Sequence, residues 1–269
     1  MKKLYLTIDD SPSPYTDQLV DYLVNKNIPA ILFVRGDMMA RLGTASITRA
    51  IENGFLVGNH SYAHDRASDI GFDEQVRQFE ATQAMIARAY RDAGVSNYAR
   101  YVRFPHLDRG TTSVWPIDFD SVPNANRDKV KSMFGIGVRA EKFDPPTAAQ
   151  RELKQRLQAW FAQNQYQKLP TPELTFPWWH QSELGGAIDS LITFSSCDWM
   201  LNPRHVGKWR YQTPDDLKRH IDHDEILNDE SSANVILMHD DRENLLTITE
   251  NMIEHMLNSN FTFLQFKEN

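Results

Sequence analysis

Apolar residues along this chain come in short runs that end abruptly on acids or histidines, and these runs alternate with stretches of helical period. Lys3-Leu4-Tyr5-Leu6-Thr7-Ile8 is rich in β-branched and aromatic residues and reads as a strand. It stops at Asp9-Asp10-Ser11-Pro12-Ser13-Pro14, a segment that no strand or helix interior tolerates. Leu19, Val20, Leu23 and Val24 then fall at helical spacing over residues 17–24. Ile28 to Val34 gives a second buried-type strand, closed by Arg35-Gly36-Asp37. A helix over residues 44–53 and a third strand, Phe55-Leu56-Val57-Gly58, come next. Later strand-like runs are Tyr101-Val102, Ser190 to Phe194, Asn234-Val235-Ile236 and Phe261 to Phe266. This β-α-β-α alternation predicts an α/β fold, in which active sites lie past the carboxyl ends of the strands.

The chemistry-bearing residues fall at those ends. Asp9 and Asp10 follow the first strand, and His60-Ser61-Tyr62-Ala63-His64 follows the third. One carboxylate and two imidazoles form a three-ligand set that leaves an open position for water on a divalent ion. The spare neighbouring carboxylate can take the proton from that water. Alone, an Asp-Asp pair is most often a solvated turn, and an H-x-x-x-H pair is most often two surface histidines. Three further fragments follow in order, each after a strand-like run: Arg103-Phe104-Pro105-His106, Asp198-Trp199 and Leu237-Met238-His239.

With these five fragments in sequence, residues 3–110 and 187–266 resemble the polysaccharide deacetylases, the NodB-like carbohydrate esterases of family 4. The resemblance implies a distorted (β/α) barrel, with one domain over residues 1–269 and a long insertion at 111–187 between the third and fourth motifs. It implies metal ligation by Asp10, His60 and His64, with Zn²⁺ the default for mixed N/O donors and Co²⁺, Ni²⁺ or Mn²⁺ as alternatives. Asp9 would be the general base and Arg103 the cation that orients it and keeps it ionised. His239 would be the general acid, oriented by Asp198. Trp199 and Leu237 would shape a pocket for the acetyl methyl, and the backbone N–H of His106 would help hold the oxyanion.

Departures from the family pattern bear on substrate rather than chemistry. Ser11-Pro12 stands where glycine usually follows the acid pair, and His106 stands where an aromatic residue usually follows R-x-P. Within the insertion, residues 148–165 have helical composition, and Leu153, Leu157 and Phe161 are expected to pack that helix on the barrel. Trp115, Trp178 and Trp179 lie in proline-broken segments that read as exposed, so they are expected to contact a glycan from one wall of the groove.

Composition narrows the partners. A hydrophobic content of 41% over 269 residues can bury a full core. A formal charge of −7 argues against nucleic acid, whose binders need a basic footprint. No run approaches a membrane span, and no repeat, linker or protein-docking signature is present. The single cysteine, Cys197, raises a thiol-nucleophile reading, which would leave the Asp/His set without a purpose. Met1-Lys2-Lys3 is not followed by an apolar export segment, so the expectation is a cytoplasmic protein, or an exported one whose leader has been removed. The function expected is metal-dependent removal of N-acetyl groups from amino sugars in chitin-like, poly-N-acetylglucosamine or peptidoglycan chains. The alternatives are a related C–N hydrolase acting on an N-formyl sugar or small cyclic amide, and an inactive glycan-binding module.

Overall fold

The computed structural model describes residues 1–134, 143–241 and 245–267. Its centre is a parallel sheet in the order β3-β2-β1-β5-β4, with β6 pairing the start of β1. The strands are β1 (Lys2–Ser11), β2 (Ala30–Val34), β3 (Leu56–Asn59), β4 (Phe194–Ser195), β5 (Asn234–His239) and β6 (Phe261–Phe263). Helices α1 (Thr16–Asn25), α2 (Gly36–Leu42), α3 (Ala45–Glu52) and α4 (Ala67–Asp92) cover the first half. α5 (Asn124–Phe134), α6 (Ala148–Gln163), α7 (Pro177–His180) and α8 (Glu183–Gly186) belong to the insertion. α9 (Pro214–His223) and α10 (Leu245–Asn258) complete the set. No described helix is long and apolar enough to cross a membrane.

β1 is apolar on both faces because it is buried on both, as central parallel strands are. Its side chains alternate, so Leu4, Leu6 and Ile8 face the helices and join a core with Leu19, Leu23, Ile253 and Met256. Tyr5, Thr7 and Asp9 occupy the opposite face, and Tyr5 closes one end against Phe266 at 5.3 Å between ring centroids.

The sheet curls into a barrel, but its closure uses single bonds in place of ladders. Asn59 at the end of β3 bridges Val102, and Ser190 N–H donates to the Val102 carbonyl at 2.7 Å. Thr193 N–H donates to Val235 at 3.0 Å, and β4 and β5 then lead back to β1. The fold is thus a distorted (β/α) barrel, with the long insertion between the third and fourth motifs. The weak closure is reinforced by Arg103, which is fully buried and lies 4.4 Å above the Phe33 ring. Its Nε donates to the Ser190 carbonyl at 2.7 Å and its Nη1 to Thr7 Oγ1 at 2.7 Å.

The inserted α6 packs as its pattern predicts. Leu157 and Phe161 are buried against Phe79 of α4 and Phe104, with Leu153 alongside. A capping box between Thr147 and Gln150 starts the helix. Arg109 fastens the insertion to the barrel by a two-pronged pairing with Asp189 at 2.8 and 2.9 Å and a bond to Glu183.

Candidate active site

The site begins with a fault in β1. The β1–β2 register shifts between Asp9 and Ser11, and Asp10 takes a left-handed φ of 71°. In a regular strand adjacent side chains point to opposite faces, but this irregularity lets both carboxylates line one cavity. The turn is made without glycine because an acceptor waits for its hydroxyls. Ser11 and Ser13 donate to Asp240 at 3.0 and 2.6 Å, and Thr16 joins them.

The histidine loop after β3 is held by amides. Ser61 and His64 both have positive φ, near 67° and 62°. Asn59 Oδ1 accepts from Ser61 N–H, and Gln78 Oε1 accepts from the Ser61 hydroxyl and the Ala63 N–H. Gln75 adds a bond to the Ser61 hydroxyl. These bonds offset a backbone that non-glycine residues rarely adopt.

Asp10, His60 and His64 come together, with one ligand atom from each lying within 4.8 Å of the others. His64 Nε2 is 3.1 Å and His60 Nε2 3.7 Å from Asp10 Oδ1, an oxygen that is buried and has no hydrogen-bond donor. An orphaned, buried carboxylate oxygen facing two imidazole nitrogens is the arrangement a divalent cation satisfies, so these residues fit one. Burial would push the Asp10 carboxyl up, but the charges of His64, His60, His239 and Arg35 outweigh it and hold the group well below the carboxylate range. Burial also drives His64 far below its ordinary value, keeping its lone pair free for ligation.

Arg103 serves the site twice. Its carbonyl accepts from His60 Nδ1 at 2.9 Å, which fixes the tautomer and leaves Nε2 toward Asp10. Its Nη1 donates to Asp9 Oδ1 at 2.8 Å. Opposite Asp9 across the sheet register stands His239, at the end of β5. Its Nδ1 donates to Asp198 Oδ1 at 2.7 Å, and its backbone N–H donates to Asp198 Oδ2 at 2.8 Å. Burial lowers the His239 pKa, but Asp198, Asp10 and Asp9 more than reverse this and raise it to about 9.

All of these groups open onto a cavity of about 390 Å³, except Arg103 and Asp198, which stand behind it. Leu237 and Trp199 line it, together with Ile192 and Val114. His106 stands exposed at its mouth, its ring centroid 4.4 Å from that of His64. Partial desolvation there, and then the charge of Arg66, lower the His106 pKa to about 4. A larger, polar-lined hollow of about 770 Å³ near Arg210 and His220 contains none of these residues.

Two expectations are corrected. Trp178 and Trp179 are only 7% and 8% exposed and pack with Phe176 and Leu184 in the insertion's own core. Pro177 does not break an exposed loop there; it starts a short helix, where a missing N–H costs nothing. Trp115 is half-buried against Phe119 at 5.4 Å. None of the three lines the cavity. The insertion does contribute a wall, but through Ser113, Val114, Met133 and Phe134. Cys197 is buried, and burial pushes its thiol up, which argues against a nucleophile. Its imidazole neighbour is His220, at 4.0 Å, and not His239.

Sequence reasoning overlooked Asp240, Gln75 and Gln78, because polar residues on a helix or after a strand look solvated. It also overlooked the aromatic wall of Trp199, His205 and Trp209, where the two indoles meet edge to face at 5.0 Å.

The family model for polysaccharide deacetylase matches residues 1–118, the part that carries the acid pair, the histidine pair and Arg103. The chain belongs to the polysaccharide deacetylase family. It is 31% identical over 107 residues to a chitin deacetylase of Colletotrichum lindemuthianum, which is 38% of this chain and 41% of that protein. It is 30% identical over 101 residues to a chitooligosaccharide deacetylase of Rhizobium leguminosarum bv. trifolii, covering 37% of this chain and 46% of that one. Each match therefore spans less than half of the relative. The fold extends further: the catalytic domain of a peptidoglycan N-acetylglucosamine deacetylase from Eubacterium rectale superposes with a TM-score of 0.56 at 19% identity, over 99% of this chain and 89% of that one.

Proposed function

We propose that this polysaccharide deacetylase-family chain is a metal-dependent hydrolase that removes N-acetyl groups from amino sugars in a glycan of the chitin-like, poly-N-acetylglucosamine or peptidoglycan kind. The observation that carries this reading is one cavity flanked by a base and an acid, each with its own partner. Asp9 is paired with Arg103 at 2.8 Å and His239 with Asp198 at 2.7 Å, on either side of the Asp10/His60/His64 cluster. The deacetylases among its relatives support the glycan class.

Asp10, His60 and His64 would hold the ion. When bound, it supplies Lewis-acid chemistry, polarising the amide carbonyl and making water more acidic. Asp9 takes the proton from the attacking water, and Arg103 keeps the carboxylate ionised and aimed. The backbone N–H of His106 offers a donor to the developing oxyanion. His239, charged through Asp198, delivers a proton to the departing amine as the C–N bond breaks. Leu237, Trp199 and Ile192 give the acyl methyl an apolar seat.

A hydrolase of N-formyl sugars or small cyclic amides would use the same groups and differ in the acyl seat. A silent binding module would have no use for Asp9 and His239, whose pairing to Arg103 and Asp198 favours catalysis. Measuring acetate and formate released from N-acetylated and N-formylated chito-oligosaccharides, with and without added Zn²⁺, tests the reading. Metal-stimulated acetate release is expected. Formate alone would support the first alternative, and neither product the second.

A further inference from the structure

We propose that the cavity is built for a substrate bearing an anionic substituent close to the scissile amide, and that Arg66 is the residue that reads it, with Arg204 as the second cation. This deepens the deacetylase reading and rests on it.

The charges lining the cavity do not balance. Asp9 is paired with Arg103, and Asp10 faces the imidazoles. Arg35 is held by Asp37 through two bonds, at 3.1 and 2.7 Å, lies 3.9 Å from Asp10 and feels the charge of Asp241. Every acid on the lining thus has a cation or an imidazole beside it. Arg66 and Arg204 also line the cavity, and among the described residues neither forms an ion pair.

Arg66 is the better placed of the two. It precedes α4, two residues after His64, and its charge acts on His106 across the cavity mouth. One Nη1 donates to the Ser113 hydroxyl of the insertion, which steadies the side chain through a neutral partner. A guanidinium has five donors in a planar fork, so the remaining ones are free to take a carboxylate or phosphate in two-pronged fashion. Arg204 approaches from the segment that carries His205 and Trp209. A half-buried cation without an acid, in a chain of net charge −7, is an uncompensated cost unless a ligand supplies the anion. A neutral amino sugar does not.

The test compares three N-acetylated amino sugars with the metal-loaded protein: a neutral chito-oligosaccharide, one carrying an ether-linked carboxylate on the sugar ring, and one carrying a sugar phosphate. Equilibrium binding and acetate release are both measured, for the unmodified protein and for Arg66→Gln. The expected result is at least about tenfold tighter binding of one anionic arm than of the neutral one, with most of that preference lost in Arg66→Gln. Which arm is preferred identifies carboxylate or phosphate as the anion. Equal binding of all three sugars, or a preference that survives Arg66→Gln, overturns the proposal. Selective binding of an anionic sugar without acetate release from any arm would overturn the deacetylase reading and leave the anion site standing.

Discussion

His239 Nδ1 lies 2.7 Å from Asp198 Oδ1, and this carboxylate is completely buried. The pair explains why an imidazole at the end of β5 stays protonated, with a pKa raised to about 9. Proton donation then persists through neutral pH and fails as pH rises through about 9, which becomes the alkaline limb of turnover. The same sign governs stability. The pair's contribution is complete below the ordinary histidine value near 6.5 and disappears as pH rises through about 9. Asp198→Asn should move the alkaline limb of kcat toward neutrality and lower kcat by about 10²-fold. A pH–rate profile checks both. An unmoved limb would mean that another group donates the proton.

Arg103 is buried with Asp9, so removing it strands a carboxylate inside the barrel. Arg103→Met should cost about 3–5 kcal/mol in urea unfolding, because a buried charge loses its partner. A loss below about 1 kcal/mol, the scale of a surface pair, would contradict the arrangement.

The insertion tryptophans should act on stability and not on substrate. Trp178→Ala is expected to lose about 3–5 kcal/mol of unfolding free energy while KM for a chito-oligosaccharide stays near that of the unmodified protein. Trp199→Ala should do the reverse, raising KM or lowering kcat with a smaller stability change. Paired denaturation and kinetic measurements separate the two.

Asp240 accepts from Ser11, Ser13 and Thr16 and so ties the loop after Asp10 to the strand end that bears His239. Asp240→Ala leaves three buried hydroxyls without their acceptor and should destabilise by about 1–3 kcal/mol. Turnover should fall as the acid pair loses its frame. Unchanged kcat and unchanged unfolding would remove Asp240 from the account.

Much of this architecture was legible because parallel strands buried on both faces announce themselves as apolar runs. Residues 3–8, 28–34 and 234–236 are such runs, and the acids and histidines that end them mark the catalytic edge. Helix α4 was not legible, since it buries Gln75, Gln78, Thr82 and Gln83 in place of an apolar stripe, and amide pairing with the histidine loop replaces hydrophobic contact. The tryptophans misled for a related reason. Proline punctuation looks alike whether it opens a buried helix at Pro177 or an exposed loop, and only tertiary packing decides. The cavity's arginines carried no sequence signal, because their meaning depends on which acids lie nearby and are already taken.

The central claim is that Asp10, His60 and His64 hold a catalytic ion while Asp9 acts on water. Titrating metal-free protein with Zn²⁺ at neutral pH, while following acetate released from an N-acetylated oligosaccharide, tests it most directly. Acetate release should rise with added Zn²⁺ and saturate near about one ion per chain, the stoichiometry of a single three-ligand site. His60→Ala should neither bind nor release, and Asp9→Asn should bind as before with turnover lower by about 10²–10⁴-fold. Protein that binds no divalent ion, or that releases acetate equally well without one, would contradict the account.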